Sequence, residues 1–249
     1  MVSSRRRSGG FSENFKTVLL VCLIALLVRS FAYEGSLIPS KSMLPSLLVG
    51  DYVVISKFAY GFSRHALPFS LHLFDGRVLF HMPKRGDVVV FKTPVDNRTD
   101  LIKRLVGLPG DRIQVRHRVL LINGEAVTRQ TIDDYVDRDP RFGSQRYPQY
   151  VETLPSGPAH LIVEDAGPEN PVDNTDEVVV PPHHYFMMGD NRDNSEDSRY
   201  ANAVGFVPEE NLVGRAEIIV LSTEPSATPW QFWHWPSNLR RDRFLARVL

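Results

Sequence analysis

Eleven consecutive apolar residues, Val18–Val28 (VLLVCLIALLV), stand near the start of the chain, while the residues beyond Tyr33 carry their apolar positions in short bursts. Arg5, Arg6 and Arg7 precede the run and Arg29 closes it. A bilayer core needs about 20 helical residues, so the run is short for a span. Lys16 and Arg29 can extend their charged heads toward the interface, which lengthens the workable helix to Phe15–Tyr33. Tyr33 then sits where aromatic side chains are favoured. A cleaved signal peptide fits the same residues, with a basic start, an apolar middle and the small-x-small triplet Ser30-Phe31-Ala32. Either reading carries the body across a membrane, because arginines stay on the cytoplasmic side. A buried core helix would not call for three arginines in front of it.

From Glu34 onward the bursts predict strands punctuated by turns. Asp51–Lys57 and Asp87–Lys92 are β-branched runs, each opened by a Gly-Asp turn. Leu101–Val106 and Arg112–Val119 flank the turn Gly107–Asp111. Asn123-Gly124, between Val119–Ile122 and Glu125–Val127, is a two-residue hairpin signal. Val178–Val180, Tyr185–Met188 and Ala216–Leu221 complete the apolar strands. No internal repeat and no long amphipathic helix stands out in the body. The stretch Thr128–Glu177 is polar, Pro-rich and Asp-rich, and reads as an insertion or flap beside the core.

Composition narrows the class. The 29 basic and 29 acidic residues cancel, which argues against a nucleic-acid binder. The 16 Gly and 18 Pro agree with a turn-rich β body. The single cysteine, Cys22, lies inside the apolar run, so no intrachain disulfide and no cysteine-based zinc site can form. The eight histidines show no metal-ligand spacing, and adjacent His183 and His184 point to opposite faces of a strand. No metal and no organic cofactor is expected.

Three segments carry candidate chemistry. Ile38–Ser46 (IPSKSMLPS) sets Ser40 and Ser42 two apart between prolines. A nucleophilic serine needs a base, and no histidine here has a recognisable partner motif. A lysine serves if burial keeps its amine neutral. Lys103 lies in the apolar run Leu101–Val106, although the local pattern alone favours a surface lysine pairing with Asp100 or Asp111. To act near neutral pH its pKa must fall by about 3 units, at roughly 4 kcal/mol. The third segment is Gly189–Arg199 (GDNRDNSEDSR). Asp193, Ser195 and Asp197 alternate as calcium ligands would, but Ser198 and Val204 stand where a calcium loop needs Gly and Glu. Two arginines among four acids look more like an ion-pair network bracing a site.

These boxes, taken with Gly50–Gly61, Lys84–Asp111 and Gly205–Ala216, resemble the ordered motifs of bacterial type I signal peptidases. The resemblance implies a mainly β fold: an N-terminal transmembrane helix, then an antiparallel β catalytic core with a small inserted β region. On the numbering here it implies a cytoplasmic tail at 1–14 and an anchor at 15–33. The core would occupy 34–127 and 178–224 and the inserted region 128–177, with an aromatic and basic tail at 225–249. Ser42 would be the nucleophile and Lys103 the general base. Ser40 would line the oxyanion hole beside the Ser42 N–H, and Ser195 would orient the Lys103 amine. Asp197 and Arg199 would form a supporting ion pair, with Asp190 and Arg192 structural. Ile38, Pro39, Met43, Val90, Leu101 and Ile102 would line shallow pockets for small side chains.

The implied partners are signal-peptide-bearing preproteins and membrane lipid, with no nucleic acid and a monomeric enzyme. The implied place is the periplasmic face of a bacterial inner membrane, held by one retained span. A self-processing regulator and a catalytically dead binding module remain as alternatives of other classes. Three departures from the family pattern stand out. Ala201–Val204 replace a frequent Trp-Gly, Leu101 replaces a frequent aromatic, and the inserted region has no cysteine. The three tryptophans Trp230, Trp233 and Trp235, followed by arginines, suggest a tail at the membrane interface or, as the plainer alternative, a cap on the β core.

Overall fold

The computed structural model describes residues 10–66, 76–139, 143–165, 167, 170–224 and 238–248. The aromatic tail with its three tryptophans falls outside the described residues. Helix α1 (Gly10–Phe31) opens the description. Its apolar side chains stand in the open, from Phe15 at 62% exposed to Ile24 at 51%. Among the described residues no helix is long and apolar enough to cross a membrane.

The mainly β expectation holds. Strand β1 (Tyr33–Leu37) follows the helix, and residues 38–50 form a looped turn leading into β2 (Asp51–Ser56). A small hairpin, β3 (Phe62–Ser63) and β4 (Arg77–Val78), precedes β5 (Val88–Lys92) and β6 (Asp100–Gly107). Next come β7 (Arg112–Arg116), β8 (Val119–Ile122) and β9 (Glu125–Ala126). The stretch expected as an insertion holds β10 (Thr128–Asp139), β11 (Gly143–Thr153) and β12 (Ala159–Val163). The chain returns through β13 (Val178–Val179), β14 (His184–Met188), β15 (Val207–Pro208) and the long β16 (Leu212–Ser222), and β17 (Ala246–Arg247) comes last.

Among the described residues, eight strands make one antiparallel sheet in the order β1-β2-β16-β5-β6-β14-β15, with β17 also paired to β16. Strands β13, β7, β8 and β9 make a second sheet, and β10, β11 and β12 a third. Register shifts along β16, at Leu212/Gly214, Ala216/Ile218 and Ile219/Leu221, bend that strand and curl the main sheet. Gly214 lies where a side chain would strike the Ser56 carbonyl of β2, so the bend depends on glycine. The expected hairpin at Asn123-Gly124 forms, with φ of 56° and 84°, the left-handed pair a two-residue turn requires.

Strand β5 is buried at Val88, Val89, Val90 and Phe91, so both of its faces are covered. That is why its sequence is a continuous apolar run instead of an alternation. Its neighbour β6 is set by the same register, with Val88 opposite Arg104, Val89 opposite Lys103 and Val90 opposite Ile102. One core cluster (Val106, Ile113, Val115, Leu120, Ile122, Phe186 and others) fills the space between the main and second sheets. Another (Ile38, Met43, Leu47, Val53, Val88, Ile219) packs the turn at 38–50 onto the main sheet.

Candidate active site

The turn carrying Ser40 and Ser42 is held from below by fully buried Met43 and Leu47. Its backbone closes through Leu44 N–H to Lys41 O at 3.1 Å and Leu47 N–H to Met43 O at 2.8 Å. Asp51, itself buried, accepts from the Leu48 N–H at 2.8 Å and fixes the exit of the turn. Asn191 pins the serine from the side. Its N–H donates to Ser42 O at 3.1 Å and its Nδ2 to Lys41 O at 3.1 Å.

Lys103 comes from the centre of β6, 3% exposed, and its Nζ lies 2.8 Å from Ser42 Oγ. Its other hydrogen bond goes to the Ile102 carbonyl at 3.1 Å. Burial holds its pKa down to about 8, against the opposing pull of Asp197, Asp190 and Glu196. At pH 7 about a tenth of the amines are then neutral, against a negligible share at the ordinary lysine value. Ser40 Oγ stands 3.3 Å from Ser42 Oγ on the more exposed side of the turn.

Gly189–Arg199 wraps around this pair. Gly189 sits so close that any side chain there would collide with Ser195 Oγ and the Ser42 carbonyl. Asp197 accepts from both Arg199 Nε and a terminal nitrogen at 2.9 Å and from the Gly189 N–H at 3.0 Å. Burial opposes its ionisation, but Arg199, the Gly189 N–H and Ser195 hold its pKa low. Ser195 Oγ lies near that carboxylate, yet it meets the geometry of a hydrogen bond with no partner among the described residues. It is not bonded to Lys103 in this arrangement. Asp193, one of the alternating acids, accepts from the Asp165 N–H at 2.6 Å and Asn170 Nδ2 at 2.8 Å.

Asp190 and Arg192 do not pair with each other. Asp190 takes a two-pronged contact from Arg104, Nε and a terminal nitrogen each at 2.7 Å. Arg192 pairs with Glu152 of β11, with one contact at 2.9 Å and a shorter one beside it. Burial opposes ionisation of Glu152, but Arg192 and His160 bring its pKa down to about 2. Arg104, Glu152, His160 and Asn191 are residues that sequence reasoning missed. A basic residue next to the candidate lysine was the one signal available for Arg104.

The candidate pocket residues divide. Ile38 and Met43 share one cluster with Ile102, and Val90 shares another with the same Ile102. Leu101 packs elsewhere, against Tyr60, Val89, Phe91 and Leu105. Pro39 is exposed at the rim.

A buried serine hydrogen-bonded to a buried lysine has the chemistry to act as a nucleophile beside a base, and the comparisons with known proteins supply the class. The family model described as "Signal peptidase, peptidase S26" matches residues 11–221. The signal peptidase I of Rickettsia prowazekii (strain Madrid E) is 39% identical over 219 residues, covering 85% of this chain and 81% of that one. That of Rickettsia bellii (strain OSU 85-389) is 37% identical over 220 residues, covering 86% of this chain and 74% of that one. A crystal structure of a signal peptidase I from Enterococcus faecalis V583 is 26% identical and covers 54% of this chain and 97% of its own, with a TM-score of 0.31. The protein is a serine endopeptidase. It belongs to the bacterial type I signal peptidase family.

Proposed function

We propose that this chain removes signal peptides from exported preproteins after small-x-small sites, with Ser42 as nucleophile and Lys103 as general base. Family membership supports the substrate class, and the 2.8 Å contact between Ser42 and the buried Lys103 amine carries the mechanism. With the amine neutral, the Ser42 hydroxyl donates to Nζ and loses its proton as Oγ attacks the scissile carbonyl. Negative charge then develops on the carbonyl oxygen. In this reading the Ser42 N–H and the Ser40 hydroxyl receive it, and the 3.3 Å separation of the two serine oxygens supports the second donor. The proton on Lys103 passes to the leaving amine and frees the new N-terminus. A water activated by the neutral amine then releases the signal peptide from Ser42.

Ser195 keeps a positioning role in this proposal, because its unpartnered buried hydroxyl adjoins the serine backbone through Gly189. A neutral hydroxyl can orient an amine without raising its pKa, as a carboxylate would. Asp197–Arg199, Asp190 and Arg192 act as the frame. Ile38, Pro39, Val90 and Ile102 line the apolar rim for small side chains, with buried Met43 beneath it and Leu101 acting on it from behind. Helix α1 serves as the retained anchor, since its exposed apolar side chains find no cover in the described protein and lipid is the apolar partner left to them. The catalytic body then faces the periplasm as a monomer.

The test is direct. Detergent-solubilised protein is incubated with a preprotein and the new N-terminus is sequenced. Cleavage should vanish in Ser42→Ala, Lys103→Ala and Lys103→Arg, the last because a guanidinium stays protonated. Near wild-type turnover in Lys103→Ala would sink the dyad.

A further inference from the structure

Asp190, Asn191 and Arg192 follow one another beside the nucleophile turn, and their side chains go three separate ways. Asp190 ends in a buried ion pair with Arg104 of β6, and Arg192 in another with Glu152 of β11. Asn191, 1% exposed, is the neutral residue between them and reaches the turn. Its backbone is fastened from behind by Val163 at the end of β12, with which it forms a parallel bridge. The Val163 N–H donates to Asp190 O and the Arg192 N–H to Val163 O, each at 2.9 Å. The amide is thus held by fixed groups on three sides.

Asn191 grips two carbonyls in a row. Its backbone N–H donates to Ser42 O and its side-chain Nδ2 to Lys41 O, both at 3.1 Å. These carbonyls belong to the two peptide units that meet at the Ser42 Cα. The unit that carries Lys41 O also carries the Ser42 N–H. A trans peptide is planar, with its C=O and N–H pointing in opposite directions. The Nδ2 bond to Lys41 O therefore sets the direction of the Ser42 N–H, which is turned away from Asn191. A carbonyl that accepts a hydrogen bond also polarises its own peptide and strengthens the N–H as a donor. A side-chain amide does this without adding a charge beside the Ser42–Lys103 pair. The Lys103 amine bonds to Ser42 Oγ and the Ile102 carbonyl, so Asn191 reaches the dyad through the backbone of Ser42.

We infer that Asn191 is a positioning residue for the cleavage: its side-chain amide sets the plane of the Lys41–Ser42 peptide so that the Ser42 N–H meets the oxygen of the tetrahedral intermediate. The inference rests on the reading of Ser42 as nucleophile and of its N–H as an oxyanion donor. The ion pairs of Asp190 and Arg192 keep the amide in place, and Val163 ties β12 to the same peptide. A side-chain substitution leaves the Asn191 backbone bond to Ser42 O standing, so it tests the Lys41 contact by itself.

The full chain in detergent is assayed for kcat and KM on a peptide substrate. Two peptides that match the residues before the cut are then compared as inhibitors, one ending in an aldehyde and the other in the corresponding alcohol. Ser42 Oγ adds to the aldehyde carbon while its proton passes to Lys103, and the former carbonyl oxygen takes up the charge. The alcohol has no carbonyl to attack and reports ground-state binding. In Asn191→Ala kcat should fall about tenfold with KM little changed, the worth of one lost hydrogen bond and short of the roughly 10²–10³ expected for a donor removed outright. Aldehyde affinity should fall by the same factor while alcohol affinity stays. The pH–rate profile should drop as a whole with its midpoint unmoved, because Lys103 keeps its surroundings. Asn191→Leu has the same branching, fills the space and lacks the donor, so it carries the same test should Asn191→Ala not fold. An unchanged kcat, an equal loss of aldehyde and alcohol binding, or a displaced pH midpoint in a folded variant would overturn the role. A preference for the aldehyde that survives Ser42→Ala would count against the nucleophile itself, a failure distinct from that of Asn191.

Discussion

Lys103 and Arg104 are neighbours on one strand, 3% and 1% exposed, and the protein treats their charges in opposite ways. Arg104 receives the Asp190 carboxylate on two prongs, the Gly86 carbonyl at 2.7 Å and the Ser46 hydroxyl at 3.3 Å. Lys103 receives one serine hydroxyl and one carbonyl. Of the three carboxylates that act on Lys103, the two with the larger pull are already engaged, Asp190 by Arg104 and Asp197 by Arg199, and Glu196 acts least. Further out, Glu152 is engaged by Arg192. Burial is thus made tolerable for the arginines and left uncompensated for the lysine. The difference teaches how a site depresses one pKa without unfolding: the acids near the base are spent on permanently charged partners.

The largest effect should come from breaking the compensated side. Asp190→Asn takes the two-pronged carboxylate away from the buried Arg104 guanidinium, which should cost about 3–5 kcal/mol. A denaturant titration would read this as a lower midpoint with an unchanged slope. A smaller loss, under about 1 kcal/mol, would mean that Arg104 is charge-compensated by other groups.

Removing Ser40, the proposed oxyanion donor, should cost nearly as much, in rate instead of stability. Ser40→Ala should lower kcat by about 10²–10³ with KM little changed, while Ser40→Thr should keep much of the activity. Steady-state kinetics with a peptide substrate would check both.

The uncompensated side should respond with the opposite sign. Lys103 is held at about 8 against an ordinary 10.5, so between those values the unfolded chain carries a proton that the folded one lacks. Stability therefore rises with pH across that window, and below about pH 8 the folded protein bears the full cost of charging the amine, roughly 3 kcal/mol. Lys103→Met should be inactive yet more stable than wild type at pH 7, with the gain shrinking as pH climbs toward 10.5. Equal or lower stability of that variant at pH 7 would show that the lysine is compensated after all.

Acid should probe the frame. Glu152 is held at about 2, and Asp190 and Asp197 are also held low by their arginines. Their contribution is present above the ordinary carboxylate range and is lost as pH falls through the folded values. Glu152→Gln should flatten part of that loss between about pH 4.5 and 2, by roughly 1–3 kcal/mol after allowance for the buried Arg192 left behind. Fluorescence-monitored denaturation at stepped pH would show it.

Much of this fold is legible along the chain, because burial imprints a period on each strand. The β-branched runs at Asp51–Lys57 and Asp87–Lys92 lie on β2 and β5, and Asn123-Gly124 makes its turn. The site is harder to read, since pairing across long separations leaves no local mark. Nothing near Arg104 points to Asp190, 86 residues on, and nothing near Arg192 points to Glu152. Lys103 itself reads locally as a surface residue, and only the resemblance of whole boxes singles it out. The pocket reading is coarse for the same reason. Adjacent Leu101 and Ile102 look alike in sequence, but a strand turns them to opposite faces and into different clusters.

The central claim, that a neutral Lys103 is the base, is tested most directly by the pH dependence of kcat/KM for the full chain in detergent on a peptide substrate. The rate should climb about tenfold per pH unit below the Lys103 pKa and level off above about 8. A rate that stays flat from pH 6 to 9, or that keeps climbing past 10, would contradict it.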